Sequence, residues 1–333
     1  MAARRKLTRV LPAVVSGAII VVAAVVLYRT LGRIDAADVA RQFAAIPATG
    51  LALAALFTAL AYLSLAVYEV AMLRYIASGL PDWRPLLTAL IACPVGHAVG
   101  FGALSGGAVR YRFYASEGLT SFDVGKVIVL SAMPYAAGLG VLCGASLVLD
   151  AREAAALLQV TPRTAMIGGA LLLLAHVAYL LAVLRLRGPI SLRWFQVELP
   201  SLRMTAVQYA LGLVDALCGI AVLYVLLPAG ADVAFTSFAA VYVIAIFVGL
   251  LSSVPAGLGV FESMLLLMLR DVPPEALLGS ILAYRLVYEL VPLAGGIALF
   301  VGWEAWIRRH LVLRGPGPGP APSPDRGGSR APR

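Results

Sequence analysis

Residues 252–262 read SSVPAGLGVFE, and they interrupt an apolar stretch, 236–270, that is otherwise long enough to cross a bilayer. A membrane helix needs about 20 consecutive apolar residues and satisfies its backbone internally. Pro255 removes one backbone donor, and Gly257 and Gly259 permit turns that other residues resist. The stretch therefore predicts two shorter helices meeting at a break rather than one continuous span. A second apolar stretch, 86–109, is irregular in the same way, with Pro94, Gly96, Gly100, Gly102, Gly106 and Gly107 inside it.

Around these two stretches lie six ordinary candidate spans, near 11–28, 48–70, 122–149, 164–184, 203–227 and 277–303. The composition agrees: 61% hydrophobic and 13% charged residues, with a mean hydropathy of +0.93. A soluble chain carries roughly 25% charged residues, because its surface must be wetted. The expected class is an all-α, polytopic membrane helix bundle. Arg4, Arg5 and Lys6 precede the first span, but its apolar run exceeds the about 7–15 residues of a signal-peptide core. It reads as a retained span. The net charge of +9 comes from bases flanking apolar segments, where anionic headgroups account for them, so nucleic acid is not an expected partner. Cys93, Cys143 and Cys218 sit singly in apolar runs without ligand spacing, which predicts neither a disulfide framework nor a metal site. No cofactor motif is present.

Basic residues set the expected orientation. Arg4, Arg5, Lys6 and Arg9 place the N-terminus in the cytoplasm; Arg185, Arg187, Arg193 and Arg203 do so for the 185–203 connection, and Arg308, Arg309 and Arg314 for the C-terminus. Loops 150–163 and 228–235 are poor in bases and belong outside, and 29–47 reads as an amphipathic helix on the outer face. Arg74 and Arg84 precede 86–109, while Arg110, Arg112 and Lys126 follow it. Both clusters stay inside only if 86–109 enters and returns on the cytoplasmic side. By the same logic 236–270 enters from the outside. The alternative of eight ordinary spans also leaves both termini inside, but it moves Arg110, Arg112 and Lys126 out and the base-poor loop 150–163 in.

The hairpin arrangement carries an internal symmetry. Residues 48–149 and 203–303 each read as span, broken hairpin, span, and the crossing 164–184 inverts the second unit relative to the first. Opposed broken-helix hairpins in inverted repeats place a binding site near the bilayer midplane. Residues 1–310 form the expected membrane domain, and 311–333, rich in Pro and Gly, the expected disordered cytoplasmic tail.

Ionisable residues inside spans are costly, roughly 2.5–3.5 kcal/mol each on insertion scales, so they mark candidate sites. They are Glu69, Arg110, Arg112, Asp215, Glu262, Arg285 and Glu289, with Arg285 and Glu289 one helical turn apart. Mutual pairing, Arg285 with Glu289 or Glu262, accounts for their burial without any ligand. A polar cavity between the repeats that meets a charged headgroup accounts for it equally. Gly106, Gly107, Gly257 and Gly259 let backbone approach a ligand, and a half-helix N-terminus at Pro255 favours phosphate. His97 is a phosphate or proton ligand or a packing histidine; His176 lies outside both repeats and receives no role. No nucleophile elbow, paired-histidine metal motif or phosphate-binding loop is present, so no catalytic residue is assigned.

Three runs carry a resemblance: 99–112, VGFGALSGGAVRYR; 254–262, VPAGLGVFE; and 283–292, AYRLVYELVP. Together they resemble the lysylphosphatidylglycerol synthetase transmembrane-region family, which includes the membrane half of multiple-peptide-resistance-factor proteins, over roughly residues 8–310. The resemblance implies a lipid flippase fold in the bacterial inner membrane. It implies Arg110, Arg112 and Arg285 at a headgroup phosphate, Glu262, Asp215 and Glu289 at a cationic group or balancing the arginines, and Tyr284 and Tyr288 beside them. In the two-domain relatives a soluble domain makes the aminoacylated lipid. The expectation here is the membrane domain without that soluble domain, so the expected partners are a membrane phospholipid, another copy of the chain, or a separately encoded lipid-modifying enzyme. Two other functions fit the residues: an intramembrane enzyme on a lipid-linked phosphate, using Glu262 with Ser252 or Ser253, and a non-catalytic envelope regulator.

Overall fold

The computed structural model describes residue 41 and residues 44–313, apart from 77–78, 100–101, 159, 186–189, 193–194, 198, 229 and 252–254. The expected first span 11–28, most of the segment 29–47 and the tail from residue 314 lie outside the described residues.

Among the described residues, five helices are long and apolar enough to cross a membrane. They are α1 (Ala48–Tyr75), α4 (Ser121–Leu149), α6 (Pro162–Arg185), α7 (Leu202–Val225) and the C-terminal stretch Ala276–Trp306. Each matches a span expected from hydropathy. Their starts follow local chemistry. Thr120 caps α4 by accepting from the Asp123 amide at 3.2 Å, and Ser201 caps α7 by accepting from Met204 at 3.3 Å. At 1.5 Å per residue, the 28 residues of α1 reach about 42 Å, more than a hydrocarbon core of about 30 Å.

The two irregular stretches are pairs of short helices, as expected. The first is α2 (Trp83–Val99) and α3 (Gly102–Ser116); a small helix, α5 (Ala151–Leu158), follows α4. The second is α8 (Phe235–Leu251), a tight turn at Pro255–Gly257, and α9 (Val260–Met268). With 9 residues, α9 is about 14 Å long and spans half a core at most. Ala256 (φ 53°), Gly257 (φ 60°) and Gly259 (φ 82°) all adopt left-handed backbone at this break. Glycine takes that conformation freely and alanine does not, so the turn holds local strain at Ala256.

The last span is itself composite: α10 (Pro274–Tyr284), a π-helical turn (Arg285–Leu290) and α11 (Val291–Leu313). α11 runs to Leu313, the last of the described residues. A short antiparallel ribbon, Ile190–Leu192 with Phe195–Val197, is the departure from an all-α fold among the described residues; it lies in the connection before α7.

Close packing fixes the bundle. α1 lies against α7 at the centre. α4 and α7 approach so closely that a Cβ added at Gly138 or Gly212 would overlap the facing backbone of Gly212 or Pro134. Small residues of this kind let membrane helices pack by van der Waals contact where no hydrophobic drive exists. α6 is peripheral: in its span only Ala165 and Gly169 are buried, and Ile167, Leu171 and Leu174 are exposed to the lipid-facing side. Each short-helix pair packs on the last span of the other half, α2 on α11 and α8 on α4, while α2 also meets the Pro255–Gly257 turn. The first pair returns to the level at which it started, since Arg84, at the start of α2, is ion-paired with Glu117, just beyond α3. At the same end Arg112 pairs with Glu304 at 3.3 Å, Trp83 meets Trp303 edge-on, and Trp303 stacks on Trp306. Beside them Arg74 hydrogen-bonds Asp82 and holds that exposed carboxyl below the usual carboxylate range.

Candidate functional site

The two helix pairs enclose a cavity of about 500 Å³ between α1, α2, α4, α7 and the π-helical turn. Three groups of polar side chains are built around it.

The first joins α1 to α3. Glu69 is 1% exposed, and its carboxylate accepts from Arg110 Nε at 2.9 Å and Nη2 at 2.8 Å, with the Tyr114 hydroxyl donating to it at 2.8 Å. This is a bidentate, desolvated pair, and it is stable only as a pair: either charge alone would be buried without compensation. Arg110 also lines the cavity.

The second group is centred on Arg285, itself 4% exposed. Its Nε donates to Glu262 Oε1 at 2.6 Å and its Nη1 to Glu289 Oε2 at 2.9 Å. Nη2 reaches the carbonyl of Ala256 at 3.5 Å, so the guanidinium also ties down the strained break. The other oxygen of Glu262 accepts the Gly259 amide at 2.7 Å and so occupies the positive start of α9. The N-terminal amide expected to face a phosphate is thereby taken by the chain's own carboxylate. The π-helical turn matters here because its wider turn rotates Arg285, Tyr288 and Glu289 relative to an α-helix; all three line the cavity.

The third group is Asp215 on α7, 1% exposed, with hydroxyl groups around it. Tyr135, Tyr242 and Tyr288 line the same cavity, the Tyr242 and Tyr288 hydroxyls lie beside Gly219, one helical turn on from Asp215, and Tyr62 joins them from α1. The Tyr62 hydroxyl donates to the Tyr288 carbonyl at 3.1 Å and lies 3.3 Å from His97 Nδ1. His97 stacks on Tyr288 with centroids 6.1 Å apart.

Of the residues expected at a site, the structure brings His97, Arg110, Asp215, Gly257, Tyr284, Arg285, Tyr288 and Glu289 to one cavity. Glu69 and Glu262 stand behind it as ion partners of its arginines. Pro255 opens the turn and Gly259 ends it. Arg112 is elsewhere, paired with Glu304 at the end of the bundle. Gly106 and Gly107 do not line the cavity: a Cβ on Gly106 would lie 2.8 Å from the Ala92 carbonyl and one on Gly107 3.2 Å from Ile128, so both serve helix packing. His176 lies away from it, 2.7 Å from the Tyr209 hydroxyl. The tyrosines at 62, 135 and 242 were missed from sequence. Their signal was position, since each sits in the middle of an apolar segment rather than in the interfacial belt where membrane tyrosines concentrate.

Fold and site define a polytopic membrane protein with a charged cavity between broken-helix pairs. Comparison with known families agrees. The chain belongs to the family described as the lysylphosphatidylglycerol synthase TM region, whose model matches residues 14–296. A Synechocystis protein described as uncharacterized is 28% identical over 303 residues, covering 91% of this chain and 94% of the relative. The phosphatidylglycerol lysyltransferase of Staphylococcus aureus strain COL is 26% identical over 303 residues, covering 87% of this chain. That of strain MRSA252 is 25% identical over 295 residues. This chain spans about a third (34%) of the length of those lysyltransferases.

Proposed function

We propose that this protein moves a phospholipid whose headgroup carries both a phosphate and an amine, such as aminoacylated phosphatidylglycerol, across the bacterial inner membrane. The observation that carries this reading is a cavity at the meeting point of two broken-helix pairs, walled by apolar side chains and by Arg110, Arg285 and Glu289. In this reading the pair α2–α3 re-enters from the cytoplasmic face and α8–α9 from the outer face, with both termini cytoplasmic. The exchanged packing of each pair on the other half's last span supports an inverted repeat of 48–149 and 203–303.

The ion pairs give the mechanism its chemistry. Around the cavity stand two guanidiniums, Arg110 and Arg285, against four carboxylates, Glu69, Asp215, Glu262 and Glu289. That excess of two carboxylates over guanidiniums favours a ligand that brings positive charge. A headgroup phosphate joins Arg285 beside its carboxylates, and the headgroup amine pairs with Asp215, the cavity carboxylate without an ion pair among the described residues. This pairing leaves no buried charge alone during passage, which is what a low barrier in a low-dielectric site requires. The acyl tails stay in lipid while the headgroup crosses. No covalent bond changes, so the activity is transport and not catalysis.

The test is outer-leaflet appearance of lysylphosphatidylglycerol in cells that make it, read with a membrane-impermeant amine reagent. Arg285→Gln and Glu262→Gln should each abolish it while protein abundance in the membrane stays at the wild-type level. Normal outward movement in both variants would remove the site assignment.

A further inference from the structure

We infer that Asp215 is a proton-carrying carboxyl, and that headgroup passage exchanges against a proton at this side chain. This rests on the transport reading above and adds its driving force.

Asp215 differs from every other acidic residue at the cavity. Glu69 holds Arg110, and Glu262 and Glu289 share Arg285. Asp215 has no ion pair among the described residues, and its Oδ1 is buried without any hydrogen-bond partner. The uncharged polar groups that share the cavity with it include Cys93 from α2, Tyr135 from α4, Tyr242 from α8 and Tyr288 from the π-helical turn, and Tyr62 from α1 hydrogen-bonds the Tyr288 carbonyl. The charged cavity residues, Arg110, Arg285 and Glu289, stand on other walls, and both arginines are already engaged. A lone carboxylate out of water costs several kcal/mol, and two events relieve it: arrival of a cation or uptake of a proton. Both act on the same oxygen, so they compete.

Competition of this kind makes an exchanger. With the amine of the headgroup beside it, Asp215 is a carboxylate. When the headgroup leaves, the carboxylate takes a proton from water on one side and becomes a carboxylic acid. It returns the same proton to water on the other side when the next headgroup arrives. No bond to the lipid is made or broken, and one proton moves against one amine. Hydroxyl and imidazole groups mark the approach to Asp215: the Tyr62 hydroxyl lies 3.3 Å from His97 Nδ1, His97 stacks on Tyr288, and Tyr135, Tyr242 and Tyr288 line the same cavity as Asp215. Such groups pass protons between neighbours in pumps and transporters.

The experiment uses the full chain in phosphatidylglycerol vesicles containing lysylphosphatidylglycerol, with amine exposure read by the impermeant reagent. For a one-for-one exchange, a gradient of about one pH unit shifts the steady-state leaflet ratio of the lipid about tenfold. Wild type should show that shift, Asp215→Asn should show none, and Asp215→Glu, which keeps a carboxyl, should retain a gradient response. Infrared difference spectra across neutral pH supply a second readout: a carboxylic-acid C=O band that titrates in wild type and is missing in Asp215→Asn. Lipid movement indifferent to the gradient in wild type overturns this inference and leaves the transport reading standing. Absence of lipid movement overturns the transport reading, and the coupling with it; the infrared band then still decides whether Asp215 binds a proton, and its absence removes that assignment as well.

Discussion

Replacing Glu69 with Gln separates a structural ion pair from a substrate site, because the side chain keeps its shape and loses only its charge. In the folded protein Glu69 is 1% and Arg110 6% exposed, and three guanidinium–carboxylate contacts join them. The Tyr114 hydroxyl can still donate to the amide carbonyl of the variant, so the loss is confined to the charge. A buried guanidinium left alone costs on the order of 3 kcal/mol, the value reached both from broken buried pairs and from insertion of a lone charge. That is more than a hundredfold in the folding equilibrium. Arg110→Met alone strands the carboxylate and should cost about as much. The double variant Glu69→Leu with Arg110→Met replaces a pair by apolar groups of similar volume and should recover to within about 1 kcal/mol of wild type. Unfolding by sodium dodecyl sulfate in mixed micelles, followed by tryptophan fluorescence, measures all four corners of the cycle. Lipid movement by the recovered double variant should remain low, since Arg110 also lines the cavity. A Glu69→Gln variant within about 0.5 kcal/mol of wild type would refute the closed, desolvated pair, and a double variant as costly as the two singles added together would show that the two charges act independently.

Other outcomes follow from the packing and the proposed topology. Gly212→Ala should cost roughly 1–3 kcal/mol, because its Cβ meets the Pro134 carbonyl and α4 must move off α7; thermal aggregation in detergent should occur earlier, and an unchanged onset would mean that the helices are not so close. Glu289→Gln should weaken lipid movement less than Glu262→Gln does, since Glu262 binds both Arg285 and the Gly259 amide while Glu289 binds Arg285 alone among the contacts resolved here; the reverse order in the leaflet assay would contradict this ranking. A cysteine placed at Ser116 should react with impermeant maleimide only from the cytoplasmic side, and one at Ala229 only from outside, against a low background from the three buried native cysteines. Labelling of position 116 from outside would eliminate the inverted repeat.

Hydropathy and breakers alone located the five long helices and both broken ones, because a bilayer imposes element length directly and Pro and Gly disrupt an intramembrane backbone wherever they cluster. The sequence also marked Arg285 and Glu289 as neighbours, since a separation of four residues on a helix is a contact whatever the fold. Three features were decided only by the tertiary structure. Glu69 and Arg110 are 41 residues apart, and only the packing of α3 beside α1 makes them a pair. Gly106 and Gly107 look like ligand-approach glycines in sequence, but which face of α3 they occupy depends on where α2 and α4 lie, and both face helices. Asp215 reads in sequence as one more intramembrane acid; it becomes different when every nearby cation is found to be held by another carboxylate. Local rules of length, turn and charge act within one segment and are legible there. Which charges are left over is a property of the whole set of contacts, and only the assembled bundle determines it.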